Sequence, residues 1–367
     1  MGRTVPRALR LPVTSGDGKL RKARTLRAVA RIRHIGRPQI SFACLLPRVQ
    51  TCPPTSTALG RLKMRARLGA ALYLRYCAER RSRRCQRDAA QHATLVVDVG
   101  TAARRSRGKR CSRAGDVRAG RCGWVSCEWV TAAGAKSSTV IVAVRGGGYC
   151  LGSLASNRRF CWLLADFTTA RVLNVGYRNA PEHRHPAALH DVQNAYRWLL
   201  NTGTDPRRVA FVGNSAGGGL VLAALLALRD AGESLPGAAV SISPWTDLAV
   251  TGASITANAA TEVLLDPGGV KDTARLYADD ERLTDPYVSP LYGRFDWLPP
   301  ILVQVSSTEI LLDDAVRVAE RARHGGVEVR LEVVEGMPHV WHFFAGILPE
   351  ADDALFALAL WLDTVLG

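Results

Sequence analysis

Val209-Ala210-Phe211-Val212-Gly213-Asn214-Ser215-Ala216-Gly217 joins a short apolar run to a serine held between two glycines. The apolar run reads as a buried strand, and residues 218–231 beyond it read as a helix. A serine on so sharp a strand-to-helix turn has strained backbone angles, and only small neighbours fit around it. The turn lifts the Ser215 hydroxyl clear of a sheet. The next amide, on Ala216, opens a helix whose N-terminus favours developing negative charge. Taken alone, the pentapeptide also fits a glycine-rich loop in an ordinary strand–helix–strand unit. Motifs elsewhere in the chain weigh against that plainer reading.

Outward from this turn, strands and helices alternate. Residues 139–144, 171–177, 238–242 and 301–305 read as strands, and residues 160–169, 187–201, 314–323 and 354–365 as helices. The run 139–144 is continuously apolar, as a strand covered on both faces requires. The helix after Ser215 is apolar almost all round (Leu220, Val221, Leu222, Leu225, Leu226, Leu228), which suits a central position. Residues 327–334 alternate as a half-exposed strand near a sheet edge. Residues 248–284 are less regular and read as an insertion. The alternation predicts an α/β protein with a doubly wound, mainly parallel sheet.

Charge and cysteine set the front of the chain apart. The formal net charge is +17, but residues 1–122 hold 30 Lys and Arg against 5 acidic residues, and the remainder holds 19 against 27. All nine cysteines lie between Cys44 and Cys161. Their odd number and irregular spacing argue against a disulfide framework, and Cys122 and Cys127 lack a second pair at metal-ligand spacing. No run approaches the ~18 apolar residues of a membrane span. Residues 1–60 lack apolar periodicity and are expected to be partly disordered, although an Arg-rich, acid-poor start is also the composition of an organelle transit peptide. In residues 61–81, Met64, Leu68, Leu72 and Tyr76 recur beside Arg61, Arg65, Arg67 and Arg75, the pattern of a basic amphipathic helix. Packing on the main domain is the preferred reading of that helix. A cover over the active site and a contact with an anionic membrane surface or with nucleic acid are the alternatives; of the last two a weak membrane contact is preferred, and no nucleic-acid partner is expected. Residues 1–122 are therefore set apart as a basic, Arg- and Cys-rich region with a possible cap helix at 61–81, and residues 123–367 as the catalytic domain. With no signal peptide ahead of the cysteines, a cytoplasmic location is expected.

A serine hydroxyl needs a base, and the base needs an orienting carboxylate. The strand 301–305 is followed by Ser306-Ser307-Thr308-Glu309, and the strand 327–334 by Glu335-Gly336-Met337-Pro338-His339. Glu309 and His339 therefore stand at strand ends, where such partners belong. Asp313 and Asp314 rival Glu309 from one turn further on, and His342 rivals His339. A metal held by His339 and His342 would lack acidic ligands nearby. The strand 139–144 runs into Arg145-Gly146-Gly147-Gly148-Tyr149, whose glycines would let backbone amides approach a substrate oxygen. A phosphate cradle is the competing reading, without the Lys-Ser/Thr of a P-loop.

From about residue 127 to the C-terminus the chain resembles the hormone-sensitive-lipase branch of the α/β-hydrolases, typically microbial carboxylesterases. The resemblance lies in Gly146-Gly147-Gly148-Tyr149 with Leu151-Gly152-Ser153, and in Tyr177-Arg178-Asn179-Ala180-Pro181-Glu182-His183. It continues through residues 213–218, Ser243-Pro244-Trp245-Thr246-Asp247, Asp285-Pro286-Tyr287-Val288-Ser289-Pro290 and residues 336–342. It implies an α/β-hydrolase fold with a helical cap, drawn from the N-terminal segment and from residues 248–284. It implies Ser215 as nucleophile, His339 as base and Glu309 as acid, with the amides of Gly147, Gly148 and Ala216 as an oxyanion hole. The implied substrate is a small-molecule ester with a short acyl chain, and no cofactor or metal is implied. The alternative is a weakly active or inactive ligand-binding protein on the same fold; the receptors of that kind in the superfamily lack the catalytic histidine, and His339 is present here.

Two residues depart from the family pattern. The glycine motif usually begins with His, here Arg145, and the residue before the serine is usually Asp, here Asn214. The second change is nearly isosteric and is expected to be mild. The first is expected to turn its guanidinium outward, because burying it without a partner is expensive. That would leave the glycine loop less supported, so that Arg145→His would raise kcat.

Overall fold

A computed structural model of the chain describes residues 115–133, 135 and 138–367. The helix expected at 61–81 and almost all of the basic region 1–122 lie outside the described residues.

Eight strands form one sheet in the order β1-β2-β4-β3-β5-β6-β7-β8. They are β1 (Asp116–Cys122), β2 (Val125–Thr131), β3 (Val140–Val144), β4 (Arg171–Val175), β5 (Val209–Asn214), β6 (Ala238–Ile242), β7 (Ile301–Ser306) and β8 (Val329–Val334). The six strands from β4 to β8 in that order pair in parallel, while β2 runs antiparallel to β4 and β1 antiparallel to β2. The sheet therefore begins at Asp116, ahead of the boundary drawn at residue 123. β1 carries almost no apolar signal, because six of its seven residues are exposed at the sheet edge.

Side chains alternate between the two faces of β3 and β5, as the period of a strand demands. Val140, Val142, Val144 and Phe211 join one apolar cluster, and Ile141, Ala143, Ala210 and Val212 the other. The first cluster takes in helices α2 (Ala187–Asn201), α3 (Ala216–Asp230) and α6 (Leu312–His324). The second takes in α1 (Leu154–Thr168) and α7 (Pro349–Leu366). Both faces of the central strands are thus covered, which is why those strands read as unbroken apolar runs. Along α3, Leu220, Val221, Leu222, Leu225, Leu226 and Leu228 are all buried. Each contributes about 1.5–3 kcal/mol on removal from water, so the helix behind Ser215 is a rigid platform.

β8 closes one edge and is half-exposed, but its exposure does not follow the alternation of its sequence: Arg330 and Val333 are exposed, while Glu332 is partly buried. The segment between β6 and β7 holds the short helices α4 (Ser254–Ala257) and α5 (Pro267–Tyr277). Asp266 caps α5 by accepting a hydrogen bond from the Gly269 amide, and Pro267 takes the first helical position. Helix α5 lies against the glycine loop. The Tyr277 ring stacks on that of Tyr149 with centroids 3.9 Å apart.

Candidate active site

Ser215 sits between β5 and α3 with φ 55° and ψ −126°, a region that an ordinary residue occupies only under constraint. Its amide donates to the Ile242 carbonyl at 2.8 Å, and its carbonyl accepts from Gly218 and Trp245. The glycine two residues on is required by space. A Cβ on Gly217 would stand 2.3 Å from the Val144 carbonyl oxygen and 2.4 Å from that of Arg145. The first turn of α3 is therefore pressed against the end of β3, where the glycine loop begins.

Three residues far apart in sequence form a hydrogen-bonded series. The Ser215 hydroxyl lies 2.9 Å from His339 Nε2, and His339 Nδ1 lies 2.5 Å from Glu309 Oε2. Glu309 and His339 are both buried. The other carboxylate oxygen, Glu309 Oε1, accepts from the Ser306 amide and the Ser243 hydroxyl, each at 2.8 Å. A carboxylate at this position makes Nδ1 the protonated nitrogen, so Nε2 is left with a lone pair facing the Ser215 hydroxyl. Burial alone would lower the His339 pKa. The charge and hydrogen bond of Glu309, with the further charge of Glu262, outweigh it and raise the pKa above the ordinary histidine value.

The loops after β7 and β8 are stitched together around this pair. The Met337 amide donates to Ser306 Oγ, the Thr308 hydroxyl donates to the Met337 carbonyl, and the Ser307 amide donates to the Val334 carbonyl. Ser243 joins the same network from the end of β6, accepting from the Val340 amide at 3.2 Å while it donates to Glu309. Glu262, in the insertion, accepts from three consecutive amides of residues 263–265 and from that of Ile310. Glu262 was not singled out from the sequence, and Ser243 stood there only as the first residue of a motif, with no role assigned to it. The visible signal for Ser243 was its position at a strand end beside Pro244.

The rivals stand elsewhere. Asp313 accepts from the Ser254 amide. Asp314 accepts from the amides of Thr246 and Asp247, and burial pushes its pKa up to about 8. His342 bonds Gln304 Oε1 through Nε2 at 2.9 Å. The Gln304 amide nitrogen already donates to Glu332 and to the Ala354 carbonyl, so the proton between the two side chains belongs to His342. Burial pushes the His342 pKa down to about 3. Among the described residues, no group of three or more His, Cys, Asp or Glu is placed to hold a metal ion.

Gly146, Gly147 and Gly148 carry the chain past Ser215. Gly147 has φ +109°, and a Cβ there would meet the Leu151 carbonyl oxygen at 2.5 Å. The Gly147 carbonyl turns away to accept from the amides of Cys150 and Leu151. Among the described residues, the amides of Gly147, Gly148 and Ala216 take no protein acceptor, so all three remain available to a substrate oxygen. Asn214 fixes the start of the loop by accepting from the Gly146 amide through Oδ1 at 3.0 Å. A carboxylate could accept in the same way, whereas Asn214 Nδ2 is buried without a partner. Asn214→Leu removes this latch and is expected to lower kcat by about 10–100-fold with KM little changed, because small misplacements of aligned groups are costly. Asn214→Asp keeps the acceptor and should stay close to the parent enzyme, as steady-state kinetics on the two variants will show.

Arg145 does not turn outward. It is 3% exposed, its guanidinium carbon stands 3.6 Å over the Tyr177 ring, and Nη2 donates to the Tyr177 carbonyl and to Asn179 Oδ1. The Tyr177 hydroxyl in turn donates to the Arg145 carbonyl at 2.9 Å. A guanidinium is weakly hydrated and stacks well on aromatic faces, which offsets part of the cost of burying it. The loop is thus anchored at both ends of Arg145, and the expected loss of lateral support is overturned. Burial pushes the Arg145 pKa below its ordinary value, opposed by Tyr177 and Asp191.

A serine, histidine and carboxylate in series, with free amides beside the serine on an α/β sheet, is an arrangement suited to nucleophilic acyl transfer. Residues 141–343 match the family described as having the alpha/beta hydrolase fold. An acetyl-hydrolase of Streptomyces hygroscopicus is 43% identical over 68% of this chain and 83% of its own length. An ethyl acetate hydrolase of Pseudomonas putida is 34% identical over 60% of this chain and 71% of its own. Among solved structures, an esterase of the bacterial hormone-sensitive lipase family is 39% identical with a TM-score of 0.71, covering 84% of this chain and 98% of its own. The chain belongs to the α/β-hydrolase family and, within it, to the carboxylic ester hydrolases of the hormone-sensitive-lipase type.

Proposed function

We propose that this enzyme hydrolyses short-chain acyl esters, acetyl esters foremost, through an acyl intermediate on Ser215. The observation that carries the reading is the unbroken series Ser215–His339–Glu309 at 2.9 and 2.5 Å. Ser215 Oγ attacks the ester carbonyl carbon while His339 Nε2 takes its proton. The oxyanion that forms is met by the amides of Gly147, Gly148 and Ala216, and the last of these adds the N-terminal field of α3. His339 then gives its proton to the departing alcohol. Water attacks the acyl-enzyme by the same route, and the carboxylic acid leaves. Glu309 holds the imidazole in its tautomer and stabilises the imidazolium; it does not itself take the proton.

The preference for short acyl chains is supported by how closely the insertion approaches the loop. A Cβ on Gly148 would lie 2.7 Å from Thr273 Cγ2 on α5, and Tyr277 of the same helix stacks on Tyr149. The names of the acetyl-hydrolase and the ethyl acetate hydrolase point the same way. A panel of p-nitrophenyl esters from acetate to palmitate tests the reading. Acetate and butyrate should give the highest kcat/KM, and turnover that favours octanoate or palmitate would refute the chain-length preference. No turnover of any ester would favour a ligand-binding protein on this fold.

The pH profile follows from His339. Only the neutral ring can take the serine proton, so activity falls as pH drops through its pKa. Because that pKa is raised, the acid limb of kcat/KM should lie above the ordinary histidine value of about 6.5. A limb at or below that value, measured with acetate ester, would contradict the balance of burial and carboxylate charge described above.

A further inference from the structure

The loop after β7, which carries Glu309, has its backbone held by one short stretch of the insertion, residues 254–262. The four consecutive carbonyls from Ser307 to Ile310 each accept from a side chain of that stretch. Asn258 Nδ2 donates to those of Ser307 and Glu309, the Thr261 hydroxyl to that of Thr308, and the Ser254 hydroxyl to that of Ile310. The Ile310 amide, next in the chain to Glu309, donates to Glu262 Oε2 at 3.2 Å. Glu262 Oε1 meanwhile accepts from the amides of residues 263–265 at 2.8, 2.8 and 3.3 Å. Glu262 is only 8% exposed. Its four donors satisfy a buried carboxylate, but all are backbone amides, and among the described residues no Lys or Arg pairs with it. Its negative charge is therefore not cancelled, and a buried charge is weakly screened. By sign it favours the imidazolium of His339 over the neutral ring, and it contributes to the raised pKa of that histidine.

The other charged groups on the elements around His339 are engaged elsewhere. Asp313 and Asp314, at the start of α6, meet Ser254 and the amides of Thr246 and Asp247. Arg145 lies over Tyr177, Glu332 pairs with Arg330, and Glu335 is exposed. His342 bonds Gln304, and burial pushes its pKa down to about 3, so it stays neutral near pH 7. Glu309 and Glu262 are left. We propose that Glu262 is a positioning residue for ester hydrolysis, a second buried carboxylate that holds the acid loop through the Ile310 amide and steadies the positive charge His339 carries during the reaction.

This rests on Ser215, His339 and Glu309 as the hydrolytic series, so the test has one readout that needs turnover and one that does not. Glu262→Gln keeps the size of the side chain and an oxygen for the amides of residues 263–265, and removes the charge. With acetate ester, the acid limb of kcat/KM should move down by about half to one pH unit, less than the effect of a directly paired charge. The same interaction lost from the imidazolium should lower kcat on the plateau by about 3–10-fold, with KM little changed. In the free protein, the His339 ring, followed by NMR and assigned by its absence in His339→Gln, should titrate lower by the same amount. A reduced Tm with the acid limb and the ring titration both unmoved would mean that Glu262 only braces the fold, and overturns the proposal. If the parent turns over no ester, the hydrolysis reading fails, and the ring titration alone decides whether Glu262 acts on His339. Should Glu262→Gln fail to fold, Glu262→Asp decides. It keeps the charge but is too short to span from residues 263–265 to the Ile310 amide, so kcat should fall at least about threefold with KM little changed. Parent kinetics in Glu262→Asp would overturn the positioning role.

Discussion

Ser215→Ala is expected to abolish ester turnover and the labelling of the chain by a fluorophosphonate probe. The side chain lost is the one proposed to form the acyl intermediate, and no other hydroxyl takes its place beside His339 Nε2. Ser243, another hydroxyl in the network, donates its Oγ proton to Glu309 and accepts from the Val340 amide. It is fully buried behind the carboxylate. In a well-studied serine protease, loss of the nucleophile costs about 2 × 10⁶ in kcat, leaving only what binding and the oxyanion donors contribute. A similar fall is expected here, with substrate binding retained because the cleft is unchanged. Alanine keeps the Cβ, so the strain at φ 55° is unchanged and the turn still needs Gly217 beside it. The variant should therefore fold as well as the parent. Probe labelling that persists in Ser215→Ala would place the nucleophile elsewhere.

How far the sequence disclosed this molecule depended on where each residue finds its partners. Helix α2 at 187–201 and strand β6 at 238–242 were read to the residue, because their patterns are local and their buried faces regular. Helix α1 was read as starting at residue 160, whereas it begins at Leu154. Its first turns, Ser-Asn-Arg-Arg, are polar, and the overlooked signal was the Ser153–Ser156 capping box. β1 escaped notice because an exposed edge strand has no apolar stripe to show. At the site, the order of strand ends was enough to bring Ser215, Glu309 and His339 forward, since loops at the carboxyl ends of parallel strands converge. It could not separate Glu309 from Asp313 or Asp314 on chemistry, and only space does that. Arg145 went wrong for the opposite reason. Its neighbours, Tyr177 and Asn179, lie more than thirty residues away in sequence, and nothing local to residue 145 announces an aromatic face and a side-chain acceptor waiting for a guanidinium.

Glu309→Gln is expected to lower kcat in the order of 10⁴-fold, the loss seen when the equivalent carboxylate of a serine protease becomes an amide. Geometry explains the size. Glu309 Oε2 accepts from His339 Nδ1, while Oε1 is held by the Ser306 amide and the Ser243 hydroxyl. Glutamine can keep only one oxygen. If that oxygen stays with Ser306 and Ser243, the amide nitrogen faces His339 and donates to Nδ1. The ring proton then moves to Nε2, and the base no longer has a lone pair for Ser215. If the amide flips, Nδ1–H is satisfied, but an NH₂ group is thrust at the Ser306 N–H, donor against donor. Either way the imidazolium formed during reaction loses its counter-charge in a buried site. The same substitution should move the acid limb of the pH profile. Burial lowers the His339 pKa, and Glu309 is the larger of the two carboxylates that raise it. Without that charge the pKa falls, so the residual activity of Glu309→Gln should persist to lower pH than that of the parent. Asp313→Asn should do neither, since Asp313 meets Ser254 and not His339. A mild Glu309→Gln beside a severe Asp313→Asn, or an acid limb that stays in place, would remove Glu309 from the role argued for it.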